Sequence, residues 1–169
     1  MRTAILMTCG AFATLAACER GGGGATERAT ERATSGGPGA ERAAPAATPP
    51  PVPAGATRIT GEQYVVDVVP PAACAAGAAC AVELRLHALG GFKVNKDYPH
   101  KFVVADGAAA PAAPGKLALD GAHAGTMTLA FSPAAAGPVR VAGVFKLSVC
   151  SDDNCVIAEP EIALEVPAS

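Results

Sequence analysis

Two cysteine pairs are the residues of this chain best suited to chemistry. Near the C-terminal end the sequence reads V-C-S-D-D-N-C-V, with Cys150 and Cys155 on either side of four polar turn-forming residues; the other pair is Cys74-Ala-Ala-Gly-Ala-Ala-Cys80. Closely spaced thiols have three uses: a disulfide that clasps a turn, a disulfide that exchanges with other thiols, and thiolate ligation of a metal. Spacings of four and five intervening residues are wider than the usual zinc pairs, so neither a metal nor another cofactor is expected. Which disulfide use applies depends on the compartment and on the elements that present the sulfurs.

The N-terminal segment bears on the compartment. Met1-Arg2 is a short basic start, and A-I-L-M-T-C-G-A-F-A-T-L-A-A over residues 4–17 is an apolar run too short to span a bilayer as a stable helix. It ends in Leu15-Ala16-Ala17-Cys18, which resembles the lipobox of bacterial lipoproteins. That resemblance implies a signal peptide over 1–17, lipidation of Cys18 and a protein held by acyl chains in the cell envelope, periplasmic or surface-exposed. Cys9 then leaves with the signal and Cys18 carries lipid, so four cysteines remain to pair in an oxidising compartment. Adjacency favours Cys74 with Cys80 and Cys150 with Cys155.

Residues 18–56 carry an A-T-E-R repeat and then a proline cluster, with glycine throughout and four Glu against four Arg. Such a composition cannot bury a core, and the segment is expected to be a disordered tether. Its balanced charge makes it neither a polybasic membrane patch nor an acidic tail. The 38 residues after Cys18 would hold a domain on the order of 35 Å from the bilayer.

Residues 57–169 read as the domain. They hold eight Lys or Arg against eleven Asp or Glu, which gives no reason to expect a nucleic-acid partner. Apolar residues alternate in the manner of half-buried strands at Tyr64–Val69, Val82–His87 and Thr126–Phe131, with shorter strands expected at Phe102–Ala105 and Lys116–Leu119. Gly- and Pro-rich stretches at 107–115 and 132–138 separate them. Seven or eight strands in this length predict an all-β, immunoglobulin-like antiparallel β-sandwich.

The last two strands have a register that the sequence itself tests. With Cys150 directly opposite Cys155, the row Val139, Val141, Gly143, Phe145, Leu147, Val149 faces Val166, Leu164, Ile162, Pro160, Ala158, Val156 on one side of the ribbon. The other side pairs Arg140 with Glu165 and Lys146 with Glu159, and carries both cysteines. A slip of one residue would turn an apolar row outward. The bridge is then within reach, close to the hairpin tip and on the polar face. A ring of about six residues stabilises by only about 2 kcal/mol, which argues for exchange, whereas Asp152 and Asp153 disfavour a thiolate, which argues for a clasp. Both readings stand on the residues alone.

Two stretches together, G-G-F-K-V-N-K-D-Y-P-H-K-F from Gly90 and V-A-G-V-F-K-L-S-V-C-S-D-D-N-C-V from Val141, resemble the N-terminal periplasmic domain of the thiol:disulfide interchange protein DsbD and its stand-alone disulfide bond corrector relatives. The resemblance covers most of residues 60–167 and implies an immunoglobulin-like sandwich. It also implies a hairpin, here Cys150 and Cys155, that cycles between dithiol and disulfide and exchanges with thioredoxin-like and other periplasmic partners. Three positions depart from that family: Lys93 stands where a histidine is usual, Leu147 where an aromatic is common, and Val156-Ile157-Ala158-Glu159-Pro160 in place of Pro-Pro. The chain has no thioredoxin-like C-x-x-C motif, so an electron donor would be another protein. The alternative is a non-catalytic binding or scaffold lipoprotein with two structural disulfides. His87, His100 and His123 sit on different segments and read as separate surface histidines, and no Ser/His/Asp pattern or phosphate-cradling glycine loop is present.

Overall fold

The computed structural model describes residues 48–109, 111 and 115–169. Cys18, the apolar N-terminal run and the A-T-E-R repeat lie outside the described residues. Ten strands form, and there is no helix among the described residues: β1 Thr57–Thr60, β2 Tyr64–Val69, β3 Cys80–Ala88, β4 Lys93–Val94, β5 Lys101–Val104, β6 Leu117–Asp120, β7 Ala124–Phe131, β8 Gly137–Cys150, β9 Cys155–Ala158 and β10 Glu161–Ala168. One sheet runs β1-β2-β3-β7-β6; in the other, β8 is central, with β9 and β10 along one side and β4 and β5 along the other. All pairings are antiparallel, and the two sheets make a β-sandwich.

The core is the pair of facing apolar rows that alternation demands. Val66, Val68, Val82, Leu84, Leu86, Met127, Leu129 and Phe131 come from the first sheet; Val141, Phe145, Leu147, Val149, Ile162 and Val166 come from the second. On β8 the row skips one side chain at Gly143, where a Cβ would collide with the Val103 carbonyl and the Phe102 ring. Glycine there lets β5 and Phe102 close over the sheet.

The hairpin register expected from burial and charge is the one observed. Cys150 pairs with Cys155, Leu147 with Ala158, Leu164 with Val141 and Val166 with Val139. Lys146 donates to Glu159 at 2.6 Å. Arg140 does stand across from Glu165, but its guanidinium reaches the Asp106 carbonyl at 3.5 Å instead. The returning strand is broken into β9 and β10 because Pro160 has no N–H to give the ladder, while its carbonyl still accepts from Phe145 at 3.0 Å and keeps the register.

Two strands are not apparent from alternation. β1 is only T-R-I-T, fixed to β2 by Arg58, which donates through Nε and Nη2 to the buried Asp67 carboxylate at 2.6 and 2.7 Å. Pro50 and Pro53, within the stretch expected as tether, are half-buried and line a cleft of about 390 Å³ with Asp67, Arg85 and His87. β4 is two residues long and is set by the turn before it, where Gly90 and Gly91 take φ of 60° and 83°, a left-handed succession that side chains resist.

Candidate functional site

The Cys150–Cys155 bridge closes the β8–β9 hairpin, with Cα atoms 4.0 Å apart. Ser151 N–H donates to the Asn154 carbonyl at 2.8 Å, so residues 151 and 154 are the last hydrogen-bonded pair and the cysteines form the non-hydrogen-bonded pair beneath it. The Ser151 hydroxyl braces the tip further, accepting from the N–H groups of Asp153 and Asn154 at 3.3 and 3.2 Å. Both cysteines alternate away from the core row. Cys155, on the side strand β9, is exposed; Cys150, on the central strand, is half-buried. Ile157 follows Cys155 on the same outer face and is 62% exposed.

β4 flanks Cys150 from the other side. Lys93 pairs with Cys150 and Val94 with Val149, so Lys93, Cys150 and Cys155 form one row across three strands. The Lys93 ammonium donates to Asp152 in the hairpin tip at 3.3 Å. Beyond β4 the register steps by four residues before β5 begins, and Lys96–Pro99 are extruded as a loop. Asn95 ties that loop down: its N–H donates to the Ser148 carbonyl at 3.0 Å, its side-chain amide to the buried Ser148 hydroxyl at 3.3 Å, and its Oδ1 accepts from Asp97 N–H at 3.1 Å. His100 Nε2–H donates to the Asn95 carbonyl at 2.8 Å, which leaves Nδ1 as a buried acceptor without a protein partner.

Between this loop, the hairpin tip and the β6–β7 turn lies a groove of about 460 Å³, lined by both cysteines, Lys93, Asn95, Lys96 and Leu119 among others. Leu119 is 45% exposed, so the groove offers apolar surface as well as ammonium groups beside the bridge.

Cys74 and Cys80 are also bridged, in a different setting. Each is only 5% exposed, and both belong to the core cluster. The loop they close is fastened to the C-terminus: Ser169 N–H donates to the Cys74 carbonyl at 3.0 Å and Ala76 N–H to the Ser169 carbonyl at 2.9 Å. Gly77 N–H donates to the Pro133 carbonyl at 2.8 Å.

The three histidines fall on separate elements. Burial lowers the pKa of His100, opposed by its bond to the Asn95 carbonyl, and burial likewise lowers that of His87. His123 Nδ1–H donates to the Phe92 carbonyl at 2.7 Å. Among the described residues no group of three or more His, Cys, Asp or Glu is placed to hold a metal ion, and no helix is long and apolar enough to cross a membrane.

Sequence reasoning locates both cysteine pairs but not Lys93 as the neighbour of Cys150. The signal is present in F-K-V-N after a double glycine, yet a strand of two residues shows no alternation from which to read a partner. No known protein family, curated protein or solved structure matches the chain.

Proposed function

We propose that the Cys150–Cys155 hairpin is a thiol-disulfide exchange site on a lipoprotein of the bacterial envelope, anchored through Cys18, with thioredoxin-like proteins among its partners. The supporting observation is the placement of the bridge: on the outer face beside the hairpin tip, with an exposed sulfur-bearing residue and a groove next to it. The resemblance of the two sequence stretches to the DsbD-type domain points the same way.

On this reading the more exposed cysteine, Cys155, is the one attacked. A thiolate of the partner's dithiol attacks Cys155 Sγ along the bridge axis, forming the mixed disulfide as the bridge breaks and its electron pair passes to Cys150 Sγ. The partner's second thiol, once deprotonated, attacks its own sulfur in the mixed disulfide and releases Cys155. The partner is left oxidised and the hairpin reduced, with both cysteines protonated from solvent according to pH. The same steps in reverse reduce a second partner.

The probe is a purified thioredoxin-like protein whose second cysteine is replaced by Ser and whose first carries a thionitrobenzoate leaving group, added to the reduced chain so that only the chain's own second cysteine can resolve the mixed disulfide. The Cys150→Ala chain, which keeps the accessible sulfur but lacks the resolving one, is expected to accumulate a mixed disulfide through Cys155; Cys155→Ala accumulates far less. Equal failure of both variants would reduce the domain to a binding or scaffold module with two structural bridges. The anchor is tested separately, by incorporation of labelled palmitate that Cys18→Ser abolishes.

A further inference from the structure

We infer that Lys93 is a positioning residue for this exchange, holding the Cys150 sulfur as the leaving thiolate when Cys155 is attacked. The inference rests on the exchange reading above and adds the group that favours cleavage in that direction. Lys93 stands directly across β4–β8 from Cys150, and Cys150 directly across β8–β9 from Cys155, so an ammonium, a leaving sulfur and an attacked sulfur share one row on the outer face.

The charges around Cys150 single Lys93 out. From the hairpin tip come Asp152 and Asp153, both of which oppose a thiolate; from the loop after β4 come Lys96 and Asp97, which pair with each other at 2.9 Å. β6 and the turn after it contribute Leu119, Gly121 and Ala122 to the groove, none of them charged. Lys93 is thus the cation in register with the sulfur, and its ammonium also pairs with the Asp152 carboxylate at 3.3 Å. A cation next to a sulfur favours its ionised form, and a thiol that ionises more readily leaves a disulfide faster. No step needs a further reactant, since the electron pair placed on Cys150 comes from the bridge itself.

The test uses the full-length chain, reduced and alkylated with iodoacetamide from about pH 5 to about pH 10, and read by mass spectrometry at the peptide that holds Cys150. Lys93→Gln should move the midpoint of Cys150 alkylation up by about one pH unit, Lys93→Arg should restore it, and Asp152→Asn should move it down. In the oxidised chain, Lys93→Gln should slow reduction by dithiothreitol about threefold. An unchanged midpoint in Lys93→Gln, or an Arg variant that behaves like the Gln variant, overturns the inference. A wild-type chain whose Cys150 midpoint responds to these variants but which never exchanges with the thioredoxin-like probe would instead overturn the exchange reading, and the two failures are therefore separable.

Discussion

The two bridges of this domain close rings of nearly equal length, with sequence separations of 6 and 5, but stand in opposite environments. By loop-closure entropy alone they differ by only about 0.1–0.2 kcal/mol. What separates them is surroundings. Cys74 and Cys80 are packed into the core and joined through backbone hydrogen bonds to Ser169, whereas Cys155 is exposed on a side strand, beside a groove. Ring size therefore says little about which disulfide serves structure and which is open to reagents; burial of the cysteines themselves says much more.

The largest expected effect is on the buried side of that contrast. Replacing both Cys74 and Cys80 with Ala should cost about 3–4 kcal/mol in chemical denaturation, the closure entropy together with the cavity left where the two sulfurs fill the core. Replacing Cys150 and Cys155 with Ala should cost about 2 kcal/mol or less, because no core packing goes with it. A larger destabilisation at the hairpin than at the buried loop would break the comparison.

A smaller effect separates the two regions by pH. His100, just after the loop that borders the groove, has a pKa lowered by burial. Above about 6.5 the imidazole is neutral in both folded and unfolded chains; below it the unfolded chain takes up a proton that the folded one resists, so stability is whole at neutral pH and falls as pH drops. Thermal melts between neutral pH and about pH 5 should show this decline, and His100→Gln should flatten it. His87, lowered for the same reason on the first sheet, accounts for the slope that remains. The smallest effect belongs to Lys146 and Glu159, partly exposed at 29% and 50%, whose coupling in a double-mutant cycle should be about 0.5 kcal/mol.

Much of this contrast is legible in the residues alone. The hairpin register follows from two constraints acting together, an apolar row that must face inward and a Lys-Glu pair that must not be separated, and Cys150 and Cys155 are carried to the outer face by parity. The sandwich itself follows from alternation in β2, β3 and β7, where most core residues lie. Legibility ends where elements are short or fixed by contacts distant in sequence. β1 owes its place to an ion pair between Arg58 and the buried Asp67, and Lys93 its position across from Cys150 to a two-residue strand aimed by two glycines. The burial of Cys74 and Cys80 is equally hidden, since a run of alanines between them gives no period and the partners of their loop, Ser169 and Pro133, lie far along the chain.

The central claim is that the hairpin bridge, and not the buried one, is open to exchange. Equilibrating the full-length chain in thiol-disulfide buffers of graded potential, with each pair quantified by peptide-resolved alkylation, measures both bridges in one experiment. The account predicts a midpoint for Cys150–Cys155 above about −300 mV, with Cys74–Cys80 still oxidised where the hairpin is fully reduced. A hairpin midpoint at or below that of the buried pair would contradict it.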